Sequence, residues 1–275
     1  MTAGLVLVAT PIGNLGDLSP RAVEALSGAD VIACEDTRRT RQLLAHSGIK
    51  TPRLVVVNDH TEAARVRDVI GLLDAGSRIA VITDAGTPGI SDPGVRLVAA
   101  AAAAGHRVEV VPGPSALIAA LVVSGLPTGR FCFEGFLPRK GAARTARLEA
   151  LRTEARTTVV YEAPHRVRRT VADLCGALGP LRRVAIVREL TKLHEETWRG
   201  SLGDAAAHLA AEPRGEYVLV IDGVPPPGPP ADDVVEAALR TELDAGADKK
   251  AAIAAVAGRL GLPKRHVYQI ALGVR

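Results

Sequence analysis

Hydrophobic and polar positions along the chain alternate between short runs rich in β-branched residues and longer stretches with helical spacing. In the first half, this pattern predicts strands at residues 5–9, 31–34, 54–57, 78–82 and 107–111. It predicts helices between them at residues 20–26, 38–45, 62–73, 94–104 and 115–123. Strands that alternate with helices form βαβ units, so we expect an α/β domain with a parallel sheet over residues 1–126.

A second series of elements follows residues 125–129, whose glycines and proline predict a hinge. Strands are expected at residues 131–136, 157–161, 184–187, 197–201 and 217–221. Helices are expected at residues 143–151, 164–177 and 202–211. We interpret residues 127–223 as a smaller α/β domain with a more mixed sheet.

The last part of the chain begins with a proline-rich segment, residues 224–230, which predicts a stiff linker. Residues 231–275 are expected to be all helical, with helices at 249–260 and 264–272. A glycine and a proline separate these two helices, which is the outline of a helix-turn-helix. A helical pair that docks on the main body or on a second subunit is at least as good an interpretation.

Composition narrows the class of protein. The 275 residues are 47% hydrophobic and 23% charged, which is typical of a globular protein. No apolar stretch reaches the ~18–20 residues of a membrane span, and no basic leader precedes the first strand, so we expect a cytoplasmic protein. The three cysteines form no CxxC and the seven histidines show no ligand spacing, so no disulfide framework or metal is expected.

Basic residues are concentrated in one part of the chain. Residues 130–169 contain ten Lys or Arg against four Asp or Glu, whereas the net charge of the whole chain is only +4. Such a block favours a polyanionic partner such as RNA, and a solvated face of arginine-rich helices explains it equally well. With seven aromatic residues in all, contacts to nucleic acid would depend mainly on arginines that bind phosphates.

Loops that follow the strands are the expected ligand sites, because open α/β sheets bind ligands beyond the carboxyl ends of their strands. Residues 83–94 contain three glycines and two prolines, so main-chain groups can face a ligand such as an adenine or a methionyl group. Asp92 and Pro93 fit the cap and first residue of the next helix. Neither GxGxxG nor GxxxxGK[ST] is present, which disfavours a dinucleotide and ATP hydrolysis.

Other polar residues near strand ends have two interpretations each. Ser115 is a helix cap or a ligand contact, since a nucleophile elbow would need glycine where Leu117 stands. Asp36 is either an acid at a helix N-terminus, which is slightly favoured, or a site residue. His165 is a site candidate because it lies beside Glu162 and Arg166.

Six segments together resemble the tetrapyrrole methylase superfamily of S-adenosylmethionine enzymes in order and spacing: residues 9–17, 34–38, 84–94, 112–116, 135–140 and 161–166. Three of them look like the branch that methylates ribosomal RNA. The resemblance implies two α/β domains with S-adenosylmethionine in the cleft between them, and a homodimer. It also implies 2′-O-methylation of a cytidine (cytidine 1402) in 16S rRNA of the small ribosomal subunit.

The resemblance also implies which residues contact the methyl donor, and the chemistry of methylation and the basic residues supply candidates for a base and for phosphate binding. The expected methyl-donor contacts are Pro11, Asp84, Gly86, Thr87, Ile90, Ser91, Ser115, Ala116, Phe133, Tyr161 and Glu162. Candidates for a general base, which the sequence does not rank, are Asp36, Lys140, Glu162 and His165. Residues expected to bind RNA phosphates are Arg38, Arg139, Lys140 and Arg166.

Two other classes of function stay open on the sequence. A methylase of the same fold could act on a tetrapyrrole or a modified protein side chain. Relatives that modify tetrapyrroles carry Gly-Asp-Pro where this chain has Gly86-Thr87-Pro88, and the basic block also argues against that substrate. A non-enzymatic regulator could use the C-terminal helices on nucleic acid, and it would bind no small ligand through residues 1–222.

Overall fold

A computed structural model gives the fold and describes residues 3–209, 212–225 and 230–274. The chain forms two compact units, Met1–Val224 and Pro225–Arg275. Most of the expected linker, residues 226–229, and the last two residues of the helix expected at 202–211 lie outside the described residues. Within the described ranges, no helix is long and apolar enough to cross a membrane.

The first sheet of the larger unit is parallel, as predicted. Its strands are β1 (Gly4–Val8), β2 (Val31–Cys34), β3 (Arg53–Val56), β4 (Arg78–Val81) and β5 (Val108–Val111). They lie in the order β3-β2-β4-β1-β5, and every pair is parallel. Because all strands point the same way, the loops after β1, β2, β4 and β5 leave the same edge of the sheet.

Helices cover both faces of this sheet. They are α1 (Pro20–Ser27), α2 (Thr37–His46), α3 (Glu62–Asp74) and α4 (Val95–Ala103). Alternate strand residues point to opposite faces, so Val6 packs with the apolar side of α1 and α2, whereas Leu5 packs with α3 and α4. Strands β1, β2 and β4 are therefore covered on both faces, and of their residues just Arg78, at the start of β4, is charged. The edge strand β5 keeps Val110 exposed.

The start of α4 is capped differently from the sequence-based expectation. Asp92 does not cap this helix. Instead the buried carboxylate of Glu62, from α3, accepts hydrogen bonds from the backbone N–H groups of Gly94, Arg96 and Leu97 at 3.0, 2.9 and 3.3 Å. The helix dipole and the free amide groups favour an anion at this point. The Asp92 side chain is therefore not used as the cap of α4.

The second sheet is mixed, which confirms the prediction. Its strands are β6 (Phe131–Phe136), β7 (Thr157–Glu162), β8 (Arg183–Arg188), β9 (Glu196–Ser201) and β10 (Tyr217–Ile221). They lie in the order β6-β7-β10-β8-β9, with β6 and β7 parallel and the other pairs antiparallel. Helices α6 (Gly141–Arg152), α7 (Pro164–Leu178) and α8 (Leu202–His208) cover one face.

The opposite face of the second sheet is covered by α5 (Ala116–Val123), which follows β5 of the first sheet. Leu117, Ala120 and Leu121 of this helix pack against a cluster that contains Val159 and Val218. The helix is apolar along its whole length, so it can bury one side on a sheet that is not its own. The domain boundary at residue 126 stays a prediction.

The smaller unit consists of three helices with a core of its own. They are α9 (Asp232–Asp244), α10 (Lys249–Leu260) and α11 (Lys264–Ala271), packed around Val235, Val256 and Val267. Helix α10 begins where the Asp248 side chain accepts a hydrogen bond from Ala251 N–H, and it ends at Gly261 with a φ of 65°. The bounds of α10 match the prediction, whereas the sequence analysis assigned no bounds to α9.

Candidate functional site

A cavity of about 460 Å³ lies where the loops of the first sheet meet the second sheet. Nine of the residues that the sequence analysis assigned to donor binding line it: Asp84, Gly86, Thr87, Ile90, Ser91, Ser115, Ala116, Tyr161 and Glu162. They come from the loops after β4 and β5 and from the end of β7. The fold thus brings together segments that are far apart in the chain.

Hydrogen bonds between the loops hold the floor of this cavity. Thr10 and Gly86 exchange two backbone hydrogen bonds of 2.9 and 3.1 Å, and the Thr87 hydroxyl donates to the carbonyl of Pro114 at 3.1 Å. Gly86 has a φ of +85°, and a Cβ there would lie 3.3 Å from Ile12 Cγ2. Only glycine takes this conformation without strain, so the backbone itself forms the surface of the cavity here.

The other two predicted donor contacts, Pro11 and Phe133, have different positions. Pro11 lines a neighbouring cavity rather than this one. Phe133 lines neither cavity, and its ring contacts the Tyr161 ring edge to face at 4.9 Å. Phe136, which the sequence analysis did not assign to the donor site, lines the larger cavity and contacts Tyr161 from another direction at 5.8 Å. Ser115 occupies the cap position of α5 without a capping hydrogen bond from its side chain, and it lines the cavity.

Five carboxylates line the larger cavity: those of Glu162 and Glu216, and a further three, those of Glu35, Asp84 and Asp92. Burial raises the pKa of all three above the ordinary values, and the pKa of Asp92 reaches about 7. The nearby charges of Glu35, Asp59 and Asp84 add to the effect on Asp92. Burial disfavours the charged forms of these three carboxylates, and a bound cation would stabilise the charged forms by direct attraction.

Glu162 is held by the protein on several sides. Its side chain is fully buried and accepts hydrogen bonds from the Thr170 hydroxyl at 2.6 Å and the Ala163 N–H at 2.9 Å. Arg166 Nε lies 3.2 Å from its carboxylate, and Arg166 Nη2 donates to the carbonyl of Leu137 at 2.6 Å. Arg166, expected to bind RNA phosphates, is only 18% exposed, and its guanidinium is occupied within the protein.

Arg144 extends this polar network and was missed by the sequence analysis, in which it was one more member of the basic block. Its buried guanidinium donates to Asp173 at 2.8 Å, to the Thr170 hydroxyl at 3.0 Å and to the carbonyl of Pro138 at 2.9 Å. The network therefore connects α6 and α7 to the loop after β6. That loop carries Arg139 and Lys140, both exposed.

The other proposed bases and RNA-binding residues lie outside the larger cavity. Asp36 caps α2 by accepting a hydrogen bond from Arg38 N–H at 2.7 Å, and this bond lowers the pKa of Asp36 and makes it a weaker base. Lys140 and His165 are exposed and line neither cavity. Arg38 is 85% exposed at the start of α2.

A second cavity of about 350 Å³ adjoins the first. The loop after β1, helix α2 and the turn that begins at Glu189 line it. In that turn Glu189 and Thr191 have positive φ angles of 51° and 64°, and Lys192 Nζ binds carboxylates of Glu189 and Glu216, each at 2.8 Å. This turn is not predictable from the sequence, because nothing local in residues 189–195 shows that they reach the first loop.

Comparison with known proteins assigns the chain to a family. Residues 4–206 match the family described as Tetrapyrrole (Corrin/Porphyrin) Methylases. This match spans well over half of the chain, so the protein belongs to the tetrapyrrole methylase family. Among the described residues, no group of three or more His, Cys, Asp or Glu side chains is arranged to hold a metal ion.

Within that family, the chain is similar to proteins called Ribosomal RNA small subunit methyltransferase I. It is 47% identical over 271 residues to the one from Synechocystis sp., with 98% of this chain and 97% of the other covered. It is 44% identical to the one from Pseudomonas aeruginosa, with 99% and 98% covered.

Solved structures confirm the fold at lower identity. The methyltransferase CobJ has a TM-score of 0.60 at 21% identity, with 82% of this chain and 97% of that chain covered. A diphthine synthase has a TM-score of 0.61 at 16% identity, with 80% and 90% covered. Uroporphyrin-III C-methyltransferase from Thermus thermophilus, crystallised with S-adenosyl homocysteine, has a TM-score of 0.53 at 19% identity, with 79% and 96% covered.

Proposed function

We propose that this protein uses S-adenosylmethionine to methylate 16S rRNA of the small ribosomal subunit, at the 2′-oxygen of a cytidine. The observation that carries the proposal is the larger cavity, built from glycine-containing loops at the carboxyl edge of the first sheet and lined by carboxylates. The names of the similar proteins supply the class of substrate. We place the protein in the cytoplasm together with that substrate.

The residues of the larger cavity fit the donor. Ile12, Ile90 and Leu190 give apolar surface for an adenosyl group, and the backbone at Gly86 leaves room for it. The carboxylate of Asp92 suits a cation such as the sulfonium, whereas that of Asp84 is already paired with Arg39 at 3.2 Å. When bound, the donor supplies a methyl group that its positive sulfur already activates.

The protein then has to orient the acceptor oxygen and exclude water. Orientation alone contributes strongly to rate when two reactants are held in line. The buried network of Arg144, Thr170 and Glu162 holds the end of β7 and the loop after β6 against each other. In this proposal Glu162 therefore positions the cavity wall, since its carboxylate already has three donors.

Ribose methylation of rRNA tests the function directly. Small-subunit rRNA from cells with and without this protein is mapped for 2′-O-methylation, and we expect cytidine 1402 to lose its methyl group when the protein is absent. Purified protein with S-adenosylmethionine should restore it on isolated subunits. Unchanged methylation in the deletion strain, or methylation of a porphyrinoid but not of subunits, contradicts the proposal.

We also propose that the protein works as a homodimer. Ile118 and Val122 lie four residues apart on the outer side of α5 and are exposed, as is Val110 in the edge strand β5. Ile118→Glu combined with Val122→Glu should convert a dimer to a monomer in size-exclusion chromatography with light scattering. The same change at Leu193, which is also exposed, should leave the mass unchanged. A monomeric wild-type protein contradicts this proposal.

A further inference from the structure

We propose that the smaller cavity receives the target nucleotide, turned out of the RNA strand, with its ribose at the boundary with the larger cavity. This inference rests on the proposed function and names the place of its substrate. Enzymes that modify a base turn the nucleotide out of its stack into a pocket, and the same movement would expose the ribose of the target nucleotide. The inference concerns a site separate from the donor cavity, although the two adjoin.

The two cavities share part of their walls. Ile12, Arg39, Asp84, Ala85 and Glu216 line both of them. Arg39 and Asp84 form an ion pair of 3.2 Å at this boundary. Ligands that occupy the two cavities would therefore meet beside this pair. A methyl transfer requires such a meeting, because the acceptor oxygen has to reach the methyl carbon directly.

The size and lining of the smaller cavity suit a single nucleoside. Its volume of about 350 Å³ falls in the range of pockets for small molecules. Leu15, Leu43 and Ile82 provide apolar surface for a base, and Gln42 provides an amide. In the part of the chain that the structure describes, no protein group forms a hydrogen bond with this amide, which can donate and accept.

Cationic side chains of α2, the helix that carries Gln42, lie beside the smaller cavity. Arg38, Arg39 and Arg41 of α2 are exposed, and only Arg39 lines the cavity itself. Arginines in this position can bind the phosphates on either side of an extracted nucleotide. Arg38 and Arg39 each pair with a single carboxylate and stay largely exposed, whereas the ammonium of Lys192 is paired with two carboxylates and its side chain is mostly covered. We therefore assign Lys192 to the wall and not to phosphate binding.

The turn that carries Lys192 is held firmly against the first loop. Asn14 N–H donates to the Thr191 hydroxyl at 3.1 Å. A Cβ on Gly13 would overlap the side chain of Lys192 and the backbone of Leu190. The smaller cavity thus has a wall that is preformed, as expected of a pocket that selects one nucleotide.

Filling the cavity tests the inference. Leu15→Trp places a larger side chain on its wall, and Leu181→Trp is the matched control at a position that is 89% exposed and lines neither cavity. Unmethylated small subunits from a deletion strain serve as substrate. We expect Leu15→Trp to lower kcat/KM at least roughly tenfold, while donor affinity by calorimetry and the melting temperature stay close to those of Leu181→Trp.

Gln42→Leu gives a second, independent variant that removes the amide at nearly constant size. We expect it to lower kcat/KM for subunits with the natural cytidine and to reduce the preference for cytidine over a uridine placed at the target by roughly tenfold. Unchanged kcat/KM in both variants overturns the inference, as does an equal loss of donor affinity in Leu15→Trp. Wild-type protein that fails to methylate subunits overturns the proposed function instead.

Discussion

Replacement of Arg144 by methionine is expected to lower the free energy of unfolding of the larger unit by about 3–5 kcal/mol. The guanidinium is buried and donates to Asp173, Thr170 and the carbonyl of Pro138. Methionine keeps much of the volume but supplies no donor. The Thr170 hydroxyl and the Pro138 carbonyl then lose this donor, and Asp173 is left with the longer contact to Arg169 at 3.7 Å. The loss costs far more than an exposed ion pair contributes.

Arg152→Met is the matched control, because Arg152 belongs to the same helix and its ion pair with Glu149 is exposed. We expect this control to change stability by less than about 0.5 kcal/mol. Urea denaturation followed by fluorescence reports on the correct unit, since the single tryptophan, Trp198, lies in β9 and stacks on His208. If Arg144→Met and Arg152→Met lose the same free energy of unfolding, the hydrogen bonds of Arg144 contribute no more stability than an exposed ion pair.

The affinity for S-adenosylmethionine is expected to rise as pH increases through about 7, because the pKa of Asp92 lies there. Below this pH the carboxyl is mostly protonated and neutral, and above it the carboxylate attracts the sulfonium. Asp92→Asn should lose on the order of 10–100-fold in affinity at high pH and little at low pH. S-adenosylhomocysteine, which lacks the positive sulfur, should bind with little dependence on pH in either protein.

Calorimetry with both ligands at about pH 6 and about pH 8.5 measures this effect, on either side of the pKa of Asp92. Asp68→Asn, at an exposed position on α3, is the control and should behave like the wild type. Parallel pH profiles for S-adenosylmethionine and S-adenosylhomocysteine would contradict the assignment of Asp92 to the sulfonium.

The pH dependence of stability provides a second test of Asp92, because stability should change with pH in the opposite direction to donor affinity. The folded protein holds the Asp92 proton more tightly than the unfolded chain, whose pKa is the ordinary 3.8. The contribution of Asp92 to stability therefore falls as pH rises from about 4 to about 7 and stays low above that. Asp92→Asn removes this penalty, so we expect a higher melting temperature than that of the wild type at alkaline pH, although the donor binds less tightly.

The sequence alone predicted the two sheets and nine of the residues that line the larger cavity. Period-two and helical patterns are local properties, so the strands and helices that precede each loop could be predicted to within a few residues. The loop at residues 83–94 could be predicted as a ligand site from its length, its glycines and its place after a strand. The cap of α4 could not be predicted from the sequence, because Glu62, which supplies it, lies in a different helix.

Only the tertiary structure decided which charged groups are available for chemistry. In the sequence Arg144 and Arg166 are indistinguishable from Arg139, yet the first two are turned inward and the third is exposed. Likewise, nothing local separates Asp92 from an ordinary helix cap or places Lys192 beside Gly13. Burial and pairing depend on residues distant in the chain, and they determine both the pKa of a carboxyl and the freedom of an arginine to bind a ligand.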